Sequence, residues 1–261
     1  MPHIKANNIN IYYEYEGDGP PLVILGGLAS DHKLLKEFVD PLKKRYKVLL
    51  MDLRGFGDTE VAPPPYSIDI LAKDVFELMN LLNIENAYIY AHSMGSAILQ
   101  TICLNYPEKA KKAILSATFL KIPYTTQMLF ELVPKLFAKN IDQEIISKII
   151  MPWLYSSEYL KNPQNFQNTL DNLSKRKINP KGYEGQAIAL TNFDSTNWIS
   201  KINTETLILA GREDIDTPLY CAEKVHEKLK NSKLKIIENA AHMIYREKSN
   251  EVYKIILDFF K

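Results

Sequence analysis

One stretch near the middle of the chain reads Ala87-Tyr88-Ile89-Tyr90-Ala91-His92-Ser93-Met94-Gly95. Its first five residues are apolar or aromatic without alternation, which is typical of a strand buried on both faces. A helical pattern begins at Met94 and continues to Asn105. The sequence therefore predicts a strand, a sharp turn at Ser93 and then a helix, the local structure in which a nucleophilic serine projects above a sheet.

The residues beside Ser93 fit such a turn. Ala91 and Gly95 lie two positions away on either side, where a large side chain would collide with the turn. Ala91 stands where the usual motif has Gly, and it is small enough. Because a bare Ser-x-Gly is weak evidence, the strand before it and the helix after it carry the argument. The alternative is an ordinary helix start with Ser93 as its N-cap.

Strand patterns and helical patterns alternate on both sides of this stretch. Residues 4–15 contain short β-prone runs broken at Asn7-Asn8, which predicts an antiparallel hairpin. A helical pattern runs from residue 31 to about residue 45. Further strand runs occupy residues 22–25, 47–51, 113–115, 206–210 and 234–237. Strands that alternate with helices indicate the α/β class, with a parallel sheet covered by helices on both faces.

The strand runs stop between residues 119 and 197. Helical patterns there are rich in Asn, Gln, Lys and large aromatic residues and are punctuated by prolines. We therefore expect a core formed by residues 1–118 and 198–261, with an all-helical lid, or cap, inserted at 119–197. Its aromatic residues could roof an apolar pocket or simply pack the lid helices on the core. They are Tyr124, Phe130, Phe137, Trp153, Tyr155, Tyr159, Phe166, Tyr183 and Phe193.

The composition narrows the class of protein. The 261 residues include 32 Lys+Arg and 31 Asp+Glu, a net charge of +1 that argues against a nucleic-acid binder. No apolar run approaches the roughly 18 residues of a membrane span, and the first residues lack a signal peptide's apolar stretch, so we expect a cytoplasmic protein. Cys103 and Cys221 are interpreted as two buried thiols rather than a disulfide or zinc ligands. No Gly-x-Gly-x-x-Gly follows a strand, so neither a nucleotide nor a flavin is expected as a cofactor. No His-rich or acidic cluster has the spacing of metal ligands, so no metal is expected either.

Three motifs occur in a fixed order along the chain: Leu25-Gly26-Gly27-Leu28, Asp52-Leu53-Arg54-Gly55-Phe56-Gly57 and His92-Ser93-Met94-Gly95. These motifs resemble those of the α/β-hydrolase fold family, and the resemblance extends over nearly the whole chain. The resemblance implies a mostly parallel eight-stranded sheet with helices on both faces and an inserted helical lid. It also implies an oxyanion hole formed by the backbone N–H groups of Leu28 and Met94. The chain departs at Gly26, where relatives often carry His, but that position supplies no oxyanion donor.

A serine nucleophile requires a base to take its proton and an acid to orient that base. Of the five histidines, only His242 occupies a loop after a late strand, so His242 is the candidate base; a purely structural histidine is the alternative. The segment 211–218 resembles the family's Gly-x-x-Asp followed by Pro, which makes Asp214 the candidate acid. Asp216 and Glu213 lie beside it, and either could instead cap the next helix. The order Ser, Asp, His is the one this fold uses.

These residues together predict a function. We expect a serine hydrolase, similar to carboxylesterases, enol-lactonases and methyl esterases, that cleaves a small and largely apolar carboxylic ester, lactone or thioester through an acyl-enzyme on Ser93. One alternative uses the same triad for carbon–carbon bond hydrolysis, acyl transfer or perhydrolysis. Another is a ligand receptor or signalling protein with little turnover. The expected partner is a small-molecule ester rather than nucleic acid or a membrane, and the expected state is a monomer or homodimer.

Overall fold

The computed structural model describes residues 2–261, in which eight strands and eleven α-helices follow one another. The strands are β1 (His3–Ala6), β2 (Ile9–Glu16), β3 (Pro21–Leu25), β4 (Lys47–Met51), β5 (Ala87–His92), β6 (Ala110–Ser116), β7 (Thr206–Gly211) and β8 (Ser232–Ile237). The helices are α1 (His32–Val39), α2 (Ile68–Leu81), α3 (Met94–Asn105), α4 (Tyr124–Ala138), α5 (Gln143–Leu154), α6 (Ser157–Lys161), α7 (Pro163–Ser174), α8 (Pro180–Thr191), α9 (Leu219–Lys228), α10 (Ile244–Glu247) and α11 (Ser249–Phe259).

The strands form one sheet in the order β1-β2-β4-β3-β5-β6-β7-β8. β1 pairs with β2, and β2 with β4, in antiparallel fashion, whereas every other neighbouring pair is parallel. The mostly parallel eight-stranded sheet predicted from the sequence is therefore confirmed. β5 lies between β3 and β6 in the middle of the sheet, where both of its edges are paired.

The side chains of β5 explain why its sequence does not alternate between apolar and polar residues. Successive residues of a strand point to opposite faces of the sheet. Tyr88 and Tyr90 belong to the hydrophobic cluster on one face, and Ile89 and Ala91 belong to the cluster on the other. Because helices cover both faces, every residue of β5 is buried, and the strand is a rigid base for the residue that follows it.

Parallel pairing brings the carboxyl ends of four strands to the same edge of the sheet. β3 ends at Leu25, β5 at His92, β7 at Gly211 and β8 at Ile237. The loops that leave these ends carry the glycine motif, Ser93 and the two late candidate residues. Ligands of open parallel sheets bind outside the carboxyl ends of the strands. The topology therefore assembles the predicted site from parts that are far apart in the sequence.

Five helices, α4 to α8, lie between β6 and β7, in the inserted segment (residues 119–197). The two ends of this segment meet: Lys121 and Asp194 form an isolated antiparallel bridge, and the N–H of Ser195 donates to the carbonyl of Leu120 at 2.9 Å. Such closely spaced ends are typical of an insertion that leaves the sheet intact. The division into a core and a lid at residues 119 and 197 stays a prediction.

Residues 2–261 contain neither a disulfide nor a helix suited to a membrane. Cys103 and Cys221 are both buried and free, as the sequence predicted. None of the helices in the described part of the chain combines the length and the apolar character that crossing a bilayer requires.

The charged residues of the Asp52–Gly57 motif form buried ion pairs and hydrogen bonds that stabilise the fold. Arg54 donates to both carboxylate oxygens of Asp74 on α2, at 2.6 and 2.8 Å, and both side chains are at least nine-tenths buried. Asp52 accepts from the ring of His32 at 2.7 Å. These contacts join the loop after β4 to α1 and α2, so the charged residues of the motif hold the loop in place.

We expect Asp74→Ala to lower the free energy of unfolding by about 3–5 kcal/mol, because it leaves the buried Arg54 guanidinium without its counter-charge. Urea unfolding followed by circular dichroism measures the change. Glu144→Ala is the control, since it breaks an exposed ion pair with Lys148 on α5 and should change little. Equal, small effects of the two substitutions would contradict a structural role for the buried pair.

Candidate active site

Ser93 lies at the junction of β5 and α3 with φ 54° and ψ −117°. This is a positive φ in a non-glycine residue, a conformation that is strained and rare. The N–H of Ser93 donates to the carbonyl of Ser116 on β6 at 2.9 Å, and the hydroxyl of Ser96 donates to the carbonyl of Ser93 at 2.6 Å. The Ser93 side chain makes no capping hydrogen bond to α3, so the N-cap interpretation is wrong. Instead, hydrogen bonds of its backbone groups hold Ser93 in the strained conformation of a sharp turn between strand and helix.

Small residues allow the turn to pack against the end of β3. A Cβ added to Gly95 would lie 2.5 Å from the carbonyl oxygen of Leu25, closer than real Cβ atoms come. A Cβ added to Gly27 would lie 3.2 Å from the Cβ of Ser93, a tight contact. The loop after β3 therefore approaches Ser93 closely only because both positions are glycine.

The predicted oxyanion donors lie on either side of this contact. Leu28 follows Gly27 in the loop, and Met94 is the first residue of α3, where a backbone N–H has no acceptor within the helix. The next loop residue, Ala29, is fixed by the inserted segment. Its N–H donates to Oε1 of Gln186 at 3.0 Å, and its carbonyl accepts from the guanidinium of Arg176. Sequence reasoning did not find these two supporting residues, because contacts between the inserted segment and the loop after β3 leave no local pattern.

Asp214 and His242 are brought together at the ends of β7 and β8. Nδ1 of His242 lies 2.9 Å from Oδ2 of Asp214, and both residues are buried. Oδ1 of Asp214 accepts from the N–H groups of Asp216 and Thr217, each at 2.9 Å, and Oδ2 accepts from the hydroxyl of Thr217 at 2.8 Å. These donors hold the carboxylate in place. A carboxylate at Nδ1 keeps the proton on that nitrogen, so the neutral ring presents Nε2 as a base.

Asp216 has a different place from the one considered in the sequence. The helix α9 begins after Pro218 and has no side-chain cap, so neither Asp216 nor the exposed Glu213 caps it. Oδ2 of Asp216 instead lies 3.4 Å from Nε2 of His242. Oδ1 is buried and has no hydrogen-bond partner in residues 2–261. His242 is thus flanked by two carboxylates, of which sequence reasoning identified one.

The charges around His242 change its protonation. Burial lowers the pKa of the imidazole, but the negative charges of Asp214 and Asp216 outweigh it and raise the pKa of His242 to about 9. Burial raises the pKa of Asp216 to about 6, with the charge of His242 opposing and that of Asp214 adding to the rise. Burial and the neighbouring charge of His242 hold the pKa of His92 well below its usual value, so His92 is neutral.

Ser93 and His242 line one cavity of about 110 Å³, but the structure shows no hydrogen bond between them in the described residues. Nε2 of His242 faces Asp216 instead. Catalytic hydrogen bonds are often long in proteins without substrate and tighten when substrate binds. A hydrogen bond between Ser93 and His242 would therefore require Nε2 to exchange Asp216 for the serine hydroxyl.

The rest of the cavity is mostly apolar and comes largely from the inserted segment. Four of the nine aromatic residues predicted as a roof line it, and the other five do not. The apolar lining consists of Leu28, Leu129, Phe130, Val133, Phe137, Ile150, Leu154, Tyr155, Leu173, Ile178, Tyr183 and Met243. The charged side chains of Arg176 and Asp216 also face it.

A family model described as the alpha/beta hydrolase fold matches residues 20–249, most of the chain. The chain belongs to the α/β-hydrolase fold family. The expectation drawn from the three sequence motifs is thereby confirmed at the level of the fold and of the family.

Relatives of this α/β-hydrolase span nearly all of it. A poly(3-hydroxyalkanoate) depolymerase of Ectopseudomonas oleovorans is 26% identical over 92% of the chain and 84% of its own length. A 3-oxoadipate enol-lactonase of Acinetobacter baylyi is 24% identical over 98% of the chain and 94% of its own. The solved structure of an esterase from Exiguobacterium antarcticum superposes with a TM-score of 0.85 at 25% identity, covering 98% of each chain.

The side chains of this α/β-hydrolase suit acyl transfer. Its described residues contain no group of three or more His, Cys, Asp or Glu side chains arranged to hold a metal ion. They do contain a serine on a strained turn, an imidazole oriented by a carboxylate and backbone donors nearby, which are the parts that acyl transfer through a serine requires.

Proposed function

We propose that this α/β-hydrolase is a serine hydrolase that cleaves small, largely apolar carboxylic esters, including lactones and thioesters, through an acyl-enzyme on Ser93. One observation above all supports it. His242, which lies in the loop after β8 and is paired through Nδ1 with the carboxylate of Asp214 after β7, lines the same small cavity as Ser93. A catalytic triad of serine, imidazole and carboxylate is recognised by its geometry and by the role of each group, not by the positions of the residues in the sequence.

The proposed reaction assigns one role to each group. His242 takes the proton of Ser93 through Nε2 as the hydroxyl attacks the ester carbonyl, and Asp214 stabilises the imidazolium that forms. The N–H groups of Leu28 and Met94 donate to the oxygen that becomes negatively charged. His242 then gives its proton to the departing alcohol. A water molecule, activated by the same ring, releases the acid and restores Ser93.

The relatives support esters as the substrate class. One is named an esterase and another an enol-lactonase, and both cover more than nine-tenths of this chain. The cavity lining agrees, because it is mostly apolar with few polar groups, as in sites that bind small uncharged molecules. Its volume of about 110 Å³ favours a short acyl chain.

A fluorophosphonate probe followed by peptide mass spectrometry tests the proposal. We expect stoichiometric labelling of the native protein on the peptide that carries Ser93, because the probe reacts only with an activated serine. As the probe is titrated in, the labelled fraction should rise and the hydrolysis of p-nitrophenyl acetate should fall in proportion. Labelling of another serine, or hydrolysis that survives complete labelling, would contradict Ser93 as the nucleophile.

A further inference from the structure

Asp216 is a buried carboxylate that the proposed reaction does not use. It is 4% exposed, and its Oδ1 has no hydrogen-bond partner in the part of the chain that the structure describes. A buried charged oxygen without a donor costs free energy, so such groups are normally paired. Because Asp216 lines the cavity that contains Ser93, a molecule bound there can supply the missing donor.

The position of Asp216 shows which part of a substrate it meets. Its Oδ2 lies 3.4 Å from Nε2 of His242. In acyl transfer through a serine, this nitrogen hands its proton to the leaving group. The space beside Nε2 therefore belongs to the alcohol part of an ester, and Asp216 lies next to that part rather than next to the acyl chain.

The charges at this end of the cavity do not balance. His242 is the positive group between Asp214 at Nδ1 and Asp216 at Nε2, so one imidazolium faces two carboxylates. The other cation on the cavity wall is already engaged. Arg176 forms an ion pair with Asp31 at 3.2 Å and donates to the carbonyl of Ala29. A positively charged group in the substrate would therefore gain a counter-charge at Asp216, which one imidazolium shared between two carboxylates does not fully neutralise.

We infer that this enzyme prefers esters of amino alcohols, whose ammonium group donates a hydrogen bond to the carboxylate of Asp216. This inference rests on the proposed function and names its substrate class. The acyl part lies among the apolar residues, and the ammonium group lies beside His242. Binding has a second consequence: an ammonium that pairs with Asp216 draws this carboxylate away from Nε2, which leaves the nitrogen free for the hydroxyl of Ser93. The preferred substrate thus completes the catalytic arrangement.

Matched acetate esters test the inference at pH 7.5. The pair is 2-(dimethylamino)ethyl acetate, which is protonated, and 3-methylbutyl acetate, which has the same shape without charge. For each enzyme variant, kcat/KM for the cationic ester is divided by kcat/KM for the neutral ester. This ratio is then divided by the ratio of the rates at which hydroxide alone hydrolyses the two esters, which removes differences in their intrinsic reactivity. We expect the native enzyme to favour the cationic ester about tenfold or more, as for a hydrogen bond between charged groups. Asp216→Leu should reduce the ratio to about one, and Asp216→Asn should leave an intermediate value.

Further esters separate charge from hydrogen bonding. A hydroxyl can also donate to Asp216, so 2-hydroxyethyl acetate is compared with propyl acetate and should show a weaker preference. An ester with a carboxylate in the same place, 3-acetoxypropanoate, should be the poorest substrate. Asp171→Asn is the matched control, because it removes an exposed carboxylate on α7 and should leave every ratio unchanged. A native preference for the neutral or the anionic ester, or a cationic preference that survives Asp216→Leu, would overturn the inference.

Calorimetric binding to Ser93→Ala separates this inference from the proposed function, because it needs no turnover. We expect the cationic ester to bind about tenfold tighter than its neutral isostere, and the difference to vanish when Asp216→Leu is added. Hydrolysis that depends on Ser93 but shows no charge preference would leave the proposed function and remove the inference. Preferential binding of the cationic ester without any hydrolysis would remove the proposed function and leave the preference for a cationic ligand at Asp216.

Discussion

Ser93→Ala is expected to lower kcat/KM for a small acetate ester by about four orders of magnitude or more, with the fold retained. In the proposed reaction the hydroxyl oxygen of Ser93 forms the covalent bond, and in the described part of the chain Ser30 is the one other serine that lines the cavity. The substitution adds no backbone strain, because alanine and serine tolerate the positive φ at position 93 about equally. Initial rates at fixed pH measure the loss, and circular dichroism and thermal unfolding verify the fold.

Thr101→Ala is the matched control for this loss. Thr101 is also buried on α3, where its hydroxyl donates to the carbonyl of Ala97 away from the cavity. We expect its activity to stay within about twofold of the native value, because the substitution removes only local packing and one hydrogen bond within α3, outside the cavity. Turnover by Ser93→Ala at more than a hundredth of the native rate would exclude Ser93 as the nucleophile and favour direct attack by water.

The sequence predicts most of the fold because its strands are buried on both faces. A strand such as β5 has to be apolar throughout, and α3 begins and ends at the residues that the pattern predicted. α1 differs: the pattern extends to about residue 45, but the helix ends at Val39. Pro41 explains this, since its ring blocks a continuous helix and Leu42–Lys44 form a separate 3₁₀ turn. The proline was visible in the sequence but outweighed by the apolar periodicity.

The candidate site is predicted less evenly than the fold. Ser93, Asp214 and His242 each lie in a turn or loop after a parallel strand. The order of the strands in the sheet therefore brings these three segments to the same edge. Asp216 was considered only as a possible helix cap, and its place beside Nε2 of His242 was not predicted, because the direction of its side chain depends on contacts between distant elements. The carboxylate of Asp214 accepts the N–H of Asp216, and the hydroxyl of Thr126 on α4 donates to the Asp216 carbonyl at 2.6 Å. For the same reason, sequence alone did not decide which aromatic residues reach the cavity, because the packing of the helices in the inserted segment sets the face that each one presents.

Asp214→Asn is expected to reduce kcat/KM near neutral pH by about four orders of magnitude, because it changes the tautomer of His242. An amide can accept the N–H groups that Asp214 now accepts, and its NH₂ then faces Nδ1 of His242. Nδ1 becomes the acceptor, the ring proton moves to Nε2, and that nitrogen can no longer take the proton of Ser93. The loss should therefore appear in kcat as well as in kcat/KM, with the structure preserved.

The pH profile distinguishes this account from a loss of stability. His242 acts as a base only when neutral, so kcat/KM of the native enzyme should rise with pH, with a half-point well above the ordinary 6.5 and near the raised pKa of about 9. Removing the charge of Asp214 lowers the pKa of His242, so the half-point of the residual activity should move to lower pH. Glu213→Gln, at the exposed neighbouring carboxylate, should leave rate and profile unchanged. An unshifted half-point in Asp214→Asn would mean that a different group sets the profile and that His242 is not the base.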